Sequence, residues 1–120
     1  MDMDRFTYIA VAIGIFVAFY LLKRMASGPM VSGDEAKRLV AEGATLIDVR
    51  SAGEFASGHI QGAKNIPVQE IGARANEIPK GKPVVLYCAS GMRSGSAAAM
   101  LRSSGRTDVH NLGSISRWPG

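Results

Sequence analysis

A chain of 120 residues is enough for one domain and not two, and a single cysteine forbids an internal disulfide. The formal charge of +4 is scattered among acids, with no basic run and no interleaved aromatics, so no nucleic-acid partner is expected. His59 and His110 lie far apart in sequence and Cys88 has no second thiol beside it, which leaves no zinc-ligand spacing. A lone thiol suits a reducing compartment or a reactive cysteine better than an oxidised scaffold.

The first predicted element is "FTYIAVAIGIFVAFYLL", residues 6–22, which carries no charge. As a helix it rises roughly 25 Å, near the short limit for a bilayer span. Tyr8 and Tyr20 sit near its ends, and Lys23 and Arg24 follow it. Apolar residues on every side argue against an amphipathic surface helix. Span length and flanking charge predict a transmembrane helix over 6–24 that contacts the lipid bilayer, single-pass, with the N-terminus outside and the following domain facing the cytoplasm. The competing reading is an exported domain after signal cleavage, with "ASG" at 26–28 as the cleavage site, although the "MDMDR" start lacks the basic n-region of a signal peptide. Residues 25–32, small, polar and broken by Pro29, are a predicted linker to a domain over 33–120.

Within that domain, Ser32 and Glu35 have capping-box spacing, Ala36, Leu39 and Val40 recur at helical spacing, and Gly43 stops the helix near residue 42. "TLIDV", 45–49, is a predicted buried strand. "AGEFASG" gives a helical turn or two, and a very short strand is expected around 63–65. Ile71, Ala75 and Ile78 predict one amphipathic helix, ended by Pro79 and Gly81. "PVVLYC", 83–88, is the most apolar strand and the expected centre of the sheet. A helix of small residues over 94–103, a strand at "DVHNL" and the closing "SRWPG" complete the chain. Strands that alternate with helices predict an α/β fold, a small, mainly parallel sheet with helices on both faces. In such sheets ligands bind beyond the carboxyl ends of the strands, which is where Cys88 falls.

The loop "CASGMR", 88–93, leads into a helix start. A helix start offers unpaired N–H groups and partial positive charge, Gly91 and Gly95 permit tight turning, and Arg93 adds a cation. These favour a thiolate at Cys88 and a cradle for an anion, a setting for covalent catalysis. The competing reading of a lone cysteine at a strand end is a small core residue.

Two stretches together resemble the single-domain rhodanese family of sulfurtransferases, over roughly 33–120. "LIDVRSAGEFASGHIQGAKNIP", 46–67, is similar to that family's first signature, and "VVLYCASGMRSGSAA", 84–98, to its active-site strand and loop, Cys-x-x-Gly-x-Arg-Ser. The end, "VHNLGSISRW", resembles the family's closing pattern, with Ser114 where a second glycine is usual.

The resemblance implies a catalytic Cys88 that carries sulfane sulfur as a persulfide, with no cofactor beyond that covalent intermediate. It implies a small anionic sulfur donor such as thiosulfate and a thiol or cyanide acceptor. By the same resemblance, Ala89, Ser90, Gly91, Met92, Arg93 and Ser94 bind substrate. Asp48, Arg50, Glu54 and His59 are expected to support the site structurally, with Arg50 pairing with Glu54 and Trp118 packing the chain end. Protein partners are left open. Two rivals stand beside this reading. Cysteine phosphatases and arsenate reductases use Cys-x5-Arg, whereas only Ala89 to Met92 separate Cys88 from Arg93 here, one residue fewer. A membrane-tethered, non-catalytic binding module would be expected to lack the cysteine that this chain keeps.

Overall fold

Strand segments pair into one sheet because backbone groups have no water to bond once buried. The computed structural model describes residues 4–27 and 30–120, with side chains described at 4–21 and 30–120. The strands are β1 (Thr45–Asp48), β2 (Lys64–Asn65), β3 (Val84–Cys88) and β4 (Val109–Ser114), in the order β2-β1-β3-β4, and every pairing is parallel. The helices are α1 (Arg5–Ser27), α2 (Gly33–Ala41), α3 (Ala52–Ala56), α4 (Ile71–Arg74) and α5 (Met92–Ser103). "VVLYC" is fully buried along its length, as an interior strand between β1 and β4 must be.

Period-two alternation divides that strand between two cores. Val84, Leu86 and Cys88 point to one face and pack with Ile47, Ile71, Ala97, Ala98 and Leu101. Val85 and Tyr87 point to the other and pack with Ala36, Leu46 and Leu112, with Trp118 against them. α4 and α5 therefore cover one face and α2 the other. Each fully buried Leu or Ile is worth about 1.5–3 kcal/mol. The same alternation puts the Cys88 side chain on the face covered by α5, whose first turn closes the loop that follows Cys88.

Three local expectations change in the structure. The helix expected from Ile71, Ala75 and Ile78 is broken into a 3-10 turn at Val68–Glu70, the short α4 and a second 3-10 turn at Ala75–Glu77. None of these pieces has a side-chain cap, so the isoleucine spacing is served by consecutive turns. α5 starts at Met92 rather than Ser94, because Gly91 takes φ 103° and turns the chain into the helix two residues earlier. The Ser32 hydroxyl caps α2 through the Glu35 N–H, but the Glu35 carboxylate pairs with Arg38; the complete capping box is Ser51–Glu54 at α3.

The N-terminal segment is corrected. α1 is helical, and its described side chains, Arg5 to Leu21, are all exposed. Among the described residues no helix is long and apolar enough to cross a membrane. The expected transmembrane helix over 6–24, its bilayer contact and the single-pass, cytoplasm-facing placement are withdrawn on that finding. The side chains of Lys23 and Arg24, on which the orientation rested, lie outside the described residues, as do the side chains of the "ASG" cleavage reading and its Gly28. The expected linker differs too: the helix continues through Ser27, and Met30 forms a parallel bridge with Asn111, so the chain is tied to β4 before α2 begins.

Candidate active site

Asp48, Cys88 and Ser114 end β1, β3 and β4, so the carboxyl edge of the sheet gathers the sequence-predicted residues. Two layers build the site there, a frame on β1 and a thiol loop on β3.

The frame is an ion pair. Asp48 is fully buried and Arg50 nearly so. The Asp48 carboxylate accepts from the Arg50 backbone N–H at 2.9 Å, from Nε at 3.0 Å and from Nη2 at 2.7 Å. Arg50 Nη2 also donates to the Gly58 carbonyl at 2.6 Å, and the Asn65 amide donates to the carbonyls of Asp48 and Arg50. The turn after β1 is thereby held on both sides. The expected Arg50–Glu54 pair is not formed. Arg50 precedes the Ser51 cap, so its side chain folds back along the strand end to Asp48 and does not run along the α3 surface.

Glu54 turns instead to the thiol loop. Its two oxygens accept from Arg93 Nη1 at 2.7 Å and Nη2 at 3.0 Å, a bidentate pair across the mouth of the site. Oε1 also accepts from the Ser51 N–H at 3.1 Å, closing the capping box. The Arg93 guanidinium, helped by Ser51, lowers the Glu54 carboxyl to about 2. Position 54 thus joins the first signature to the active loop, a contact that no sequence spacing announces.

Cys88 is buried at the floor of that loop. Its Sγ accepts from the Gly91 N–H at 2.9 Å and the Ser94 N–H at 3.4 Å, and lies 3.5 Å from Ser94 Oγ. Burial pushes the thiol up; the Ser94 hydroxyl and the N–H groups of Ser94, Gly91 and Ser90 more than reverse it, and the net shift is downward. The hydrogen bonds of the loop therefore activate the thiol, while the loop cation is engaged by Glu54. Ser94→Ala removes the largest lowering contribution. The Cys88 thiol is then expected to titrate at higher pH than in the native protein, as read by ultraviolet thiolate absorbance. An unchanged titration contradicts this assignment.

The other loop residues take distinct positions. Ala89, Ser90 and Met92 are exposed, Gly91 and Arg93 half-buried, and Ser94 fully buried. Ser114 donates its hydroxyl to the Ala89 carbonyl at 2.7 Å, so the residue that departs from the family's glycine stitches the end of β4 to the loop. Sequence reading missed this role, and only the departure itself marked the position. Gly113 has φ 90°, the left-handed region that favours glycine, and a Cβ there would lie 2.6 Å from Met30 Sδ, so that side chain would have to shift. His59 is exposed, donates from Nδ1 to the Phe55 carbonyl at 2.9 Å and stacks on the Phe55 ring, as a scaffold residue does. Trp118 packs against the Tyr87 core. A surface cavity of about 640 Å³ lies at the amino ends of β3 and β4, lined by Lys80, Lys82 and Arg106 among others, and no residue of the Cys88 loop lines it.

Comparison with known proteins agrees with this geometry. The family model "Rhodanese-like domain" matches residues 32–119. The uncharacterized protein YqhL of Bacillus subtilis is 51% identical over 78 residues, covering 64% of this chain and 62% of that protein. The chain thus spans somewhat less than two thirds of that relative's length. A protein of Allochromatium vinosum named sulfurtransferase is 44% identical over 64% of this chain and 73% of its own, and the thiosulfate sulfurtransferase PspE of Escherichia coli is 41% identical over 58% and 68%. Among solved structures, the human single-domain sulfurtransferase TSTD1 superposes with a TM-score of 0.62 at 35% identity, covering 76% of this chain and 92% of that one. A parallel sheet flanked by helices, a thiol loop at its carboxyl edge and a family model that matches nearly all of the domain give one conclusion: this chain belongs to the rhodanese-like domain family, with relatives named sulfurtransferases.

Proposed function

We propose that the protein moves a sulfane sulfur from a small anionic donor such as thiosulfate to a thiol or cyanide acceptor, through a persulfide on Cys88 and without a cofactor. The observation that carries this reading is a buried cysteine sulfur that accepts from the N–H groups of Gly91 and Ser94, in a loop opening at the carboxyl edge of the sheet. Relatives named as thiosulfate sulfurtransferases support the choice of donor.

The chemistry follows from the loop. The Cys88 thiolate attacks the outer sulfur of thiosulfate; an S–S bond forms, the donor's S–S bond breaks, and its electron pair leaves with sulfite. Loop N–H groups stabilise the negative charge as it moves to the new terminal sulfur. An acceptor nucleophile then takes that sulfur, and the pair returns to Sγ as thiolate. Two half-reactions through a covalent intermediate predict double-displacement kinetics. The test is thiocyanate formation by the purified protein from thiosulfate and cyanide. Parallel double-reciprocal plots are expected; absence of turnover, or intersecting plots, overturns the reading.

A further inference from the structure

The cation of the thiol loop, Arg93, is not free. Arg93 follows the thiol loop directly, yet both of its terminal nitrogens are bound by Glu54 from another segment of the chain. Both side chains remain about a third exposed, so the pair borders the solvent from which a donor arrives. Glu54 is also held from behind by Ser51, which donates through its N–H at 3.1 Å and its hydroxyl at 3.0 Å to the same oxygen. The carboxylate is therefore fixed on the α3 cap, and it holds the guanidinium. The Cys88 sulfur, meanwhile, draws its stabilisation from hydrogen bonds within the loop. Activation of the nucleophile and the charge presented at the mouth are thus assigned to different groups.

We infer that Glu54 is a specificity-determining positioning residue: by neutralising and holding Arg93 it lowers the pocket's preference for doubly charged donors relative to singly charged ones. This rests on the sulfur-transfer reading above. Thiosulfate carries two negative charges and methanethiosulfonate one, and both deliver a terminal sulfur. With thiosulfate the departing pair leaves as sulfite; with the thiosulfonate the S–S bond breaks in the same way and the pair leaves as methanesulfinate. Total charge and sulfur count are conserved in each case. A site whose mouth is electrically neutral gains little from the second charge of thiosulfate. A mouth with an uncompensated guanidinium gains from it.

Glu54→Gln separates charge from shape. Glutamine serves the third helical position of a capping box as glutamate does, so α3 keeps its start, and the side-chain carbonyl still accepts one bond from Arg93. The negative charge is lost, together with the second of the two Arg93 bonds. A unit charge roughly 7 Å from a ligand in water is worth about threefold in affinity per ligand charge. In a double-displacement reaction, kcat/KM for the donor reports the donor half-reaction alone. The ratio of kcat/KM for thiosulfate to that for methanethiosulfonate is therefore expected to rise about threefold in Glu54→Gln at low ionic strength. The rise should shrink toward nothing near 1 M salt, where the screening length falls to about 3 Å. Glu54→Asp keeps the charge and should keep the native ratio.

A residue that merely ordered the loop would lower both donors together, in a salt-independent way, and Asp and Gln would behave alike; that result overturns the inference. An unchanged or lower ratio in Glu54→Gln overturns it as well. If the native protein uses neither donor, the sulfurtransferase reading itself fails; if it uses both and the ratio does not move, only the role given to Glu54 fails.

Discussion

Cys88→Ser should reduce sulfur transfer to the rate of the uncatalysed reaction while the domain stays folded. The substitution exchanges one small, buried side chain for another, and the hydroxyl can accept from the same Gly91 and Ser94 N–H groups that now hold the sulfur. The fold has little reason to respond. Chemistry has every reason to respond, because an alcohol is far less ionised than a thiol whose acidity this loop increases, and an oxygen at position 88 cannot form a persulfide. No other thiol exists in the chain to substitute for it. The check is thiocyanate formation with circular dichroism run in parallel. Residual turnover in a folded variant would move the nucleophile elsewhere.

Asp48→Ala should act on stability instead. It removes one member of a buried ion pair and leaves the Arg50 guanidinium with the Gly58 carbonyl and the face of the Tyr87 ring. Losing one partner of such a pair costs about 3–5 kcal/mol, far more than the pair contributes relative to an apolar replacement. For a domain of this size each kcal/mol shifts Tm by about 4–8 °C, so a fall of roughly 12 °C or more is expected. Thermal unfolding followed by circular dichroism measures it. Because the carboxylate also accepts the Arg50 backbone N–H, Asp48→Asn should be milder: it keeps an acceptor for that donor and loses only the charge. A variant Asp48→Ala as stable as the native protein would show that the Asp48 carboxylate is not what holds the turn after β1.

What the sequence revealed and what it concealed divide along physical lines. "VVLYC" announced an interior strand because burial on both faces demands an uninterrupted apolar run. The loop at Cys88 was legible because glycine, arginine and serine cluster within a few residues of the only thiol, and local chemistry of that kind is written in local sequence. Ile71, Ala75 and Ile78 misled: their spacing satisfies a helix, but three short uncapped turns bury the same isoleucines, and periodicity does not distinguish the two. Arg50 and Glu54 misled for a related reason. An i, i+4 pair is a helix-surface expectation, and Arg50 lies outside the helix that Ser51 begins. Their true partners, Asp48 at the strand end and Arg93 across the fold, are fixed by the sheet order, which brings the ends of β1 and β3 side by side. The N-terminal segment was the largest correction: span length and flanking charge carried the bilayer expectation, and among the described residues no helix is long and apolar enough to cross a membrane.

Intact-mass spectrometry of the native protein after incubation with thiosulfate, with no acceptor present, addresses the central claim most directly. The account predicts a gain of one sulfur atom, located on the peptide that contains Cys88, absent from Cys88→Ser and removed by cyanide with release of thiocyanate. A protein that turns thiosulfate over yet never carries the added sulfur, or carries it on a residue other than Cys88, would contradict the account.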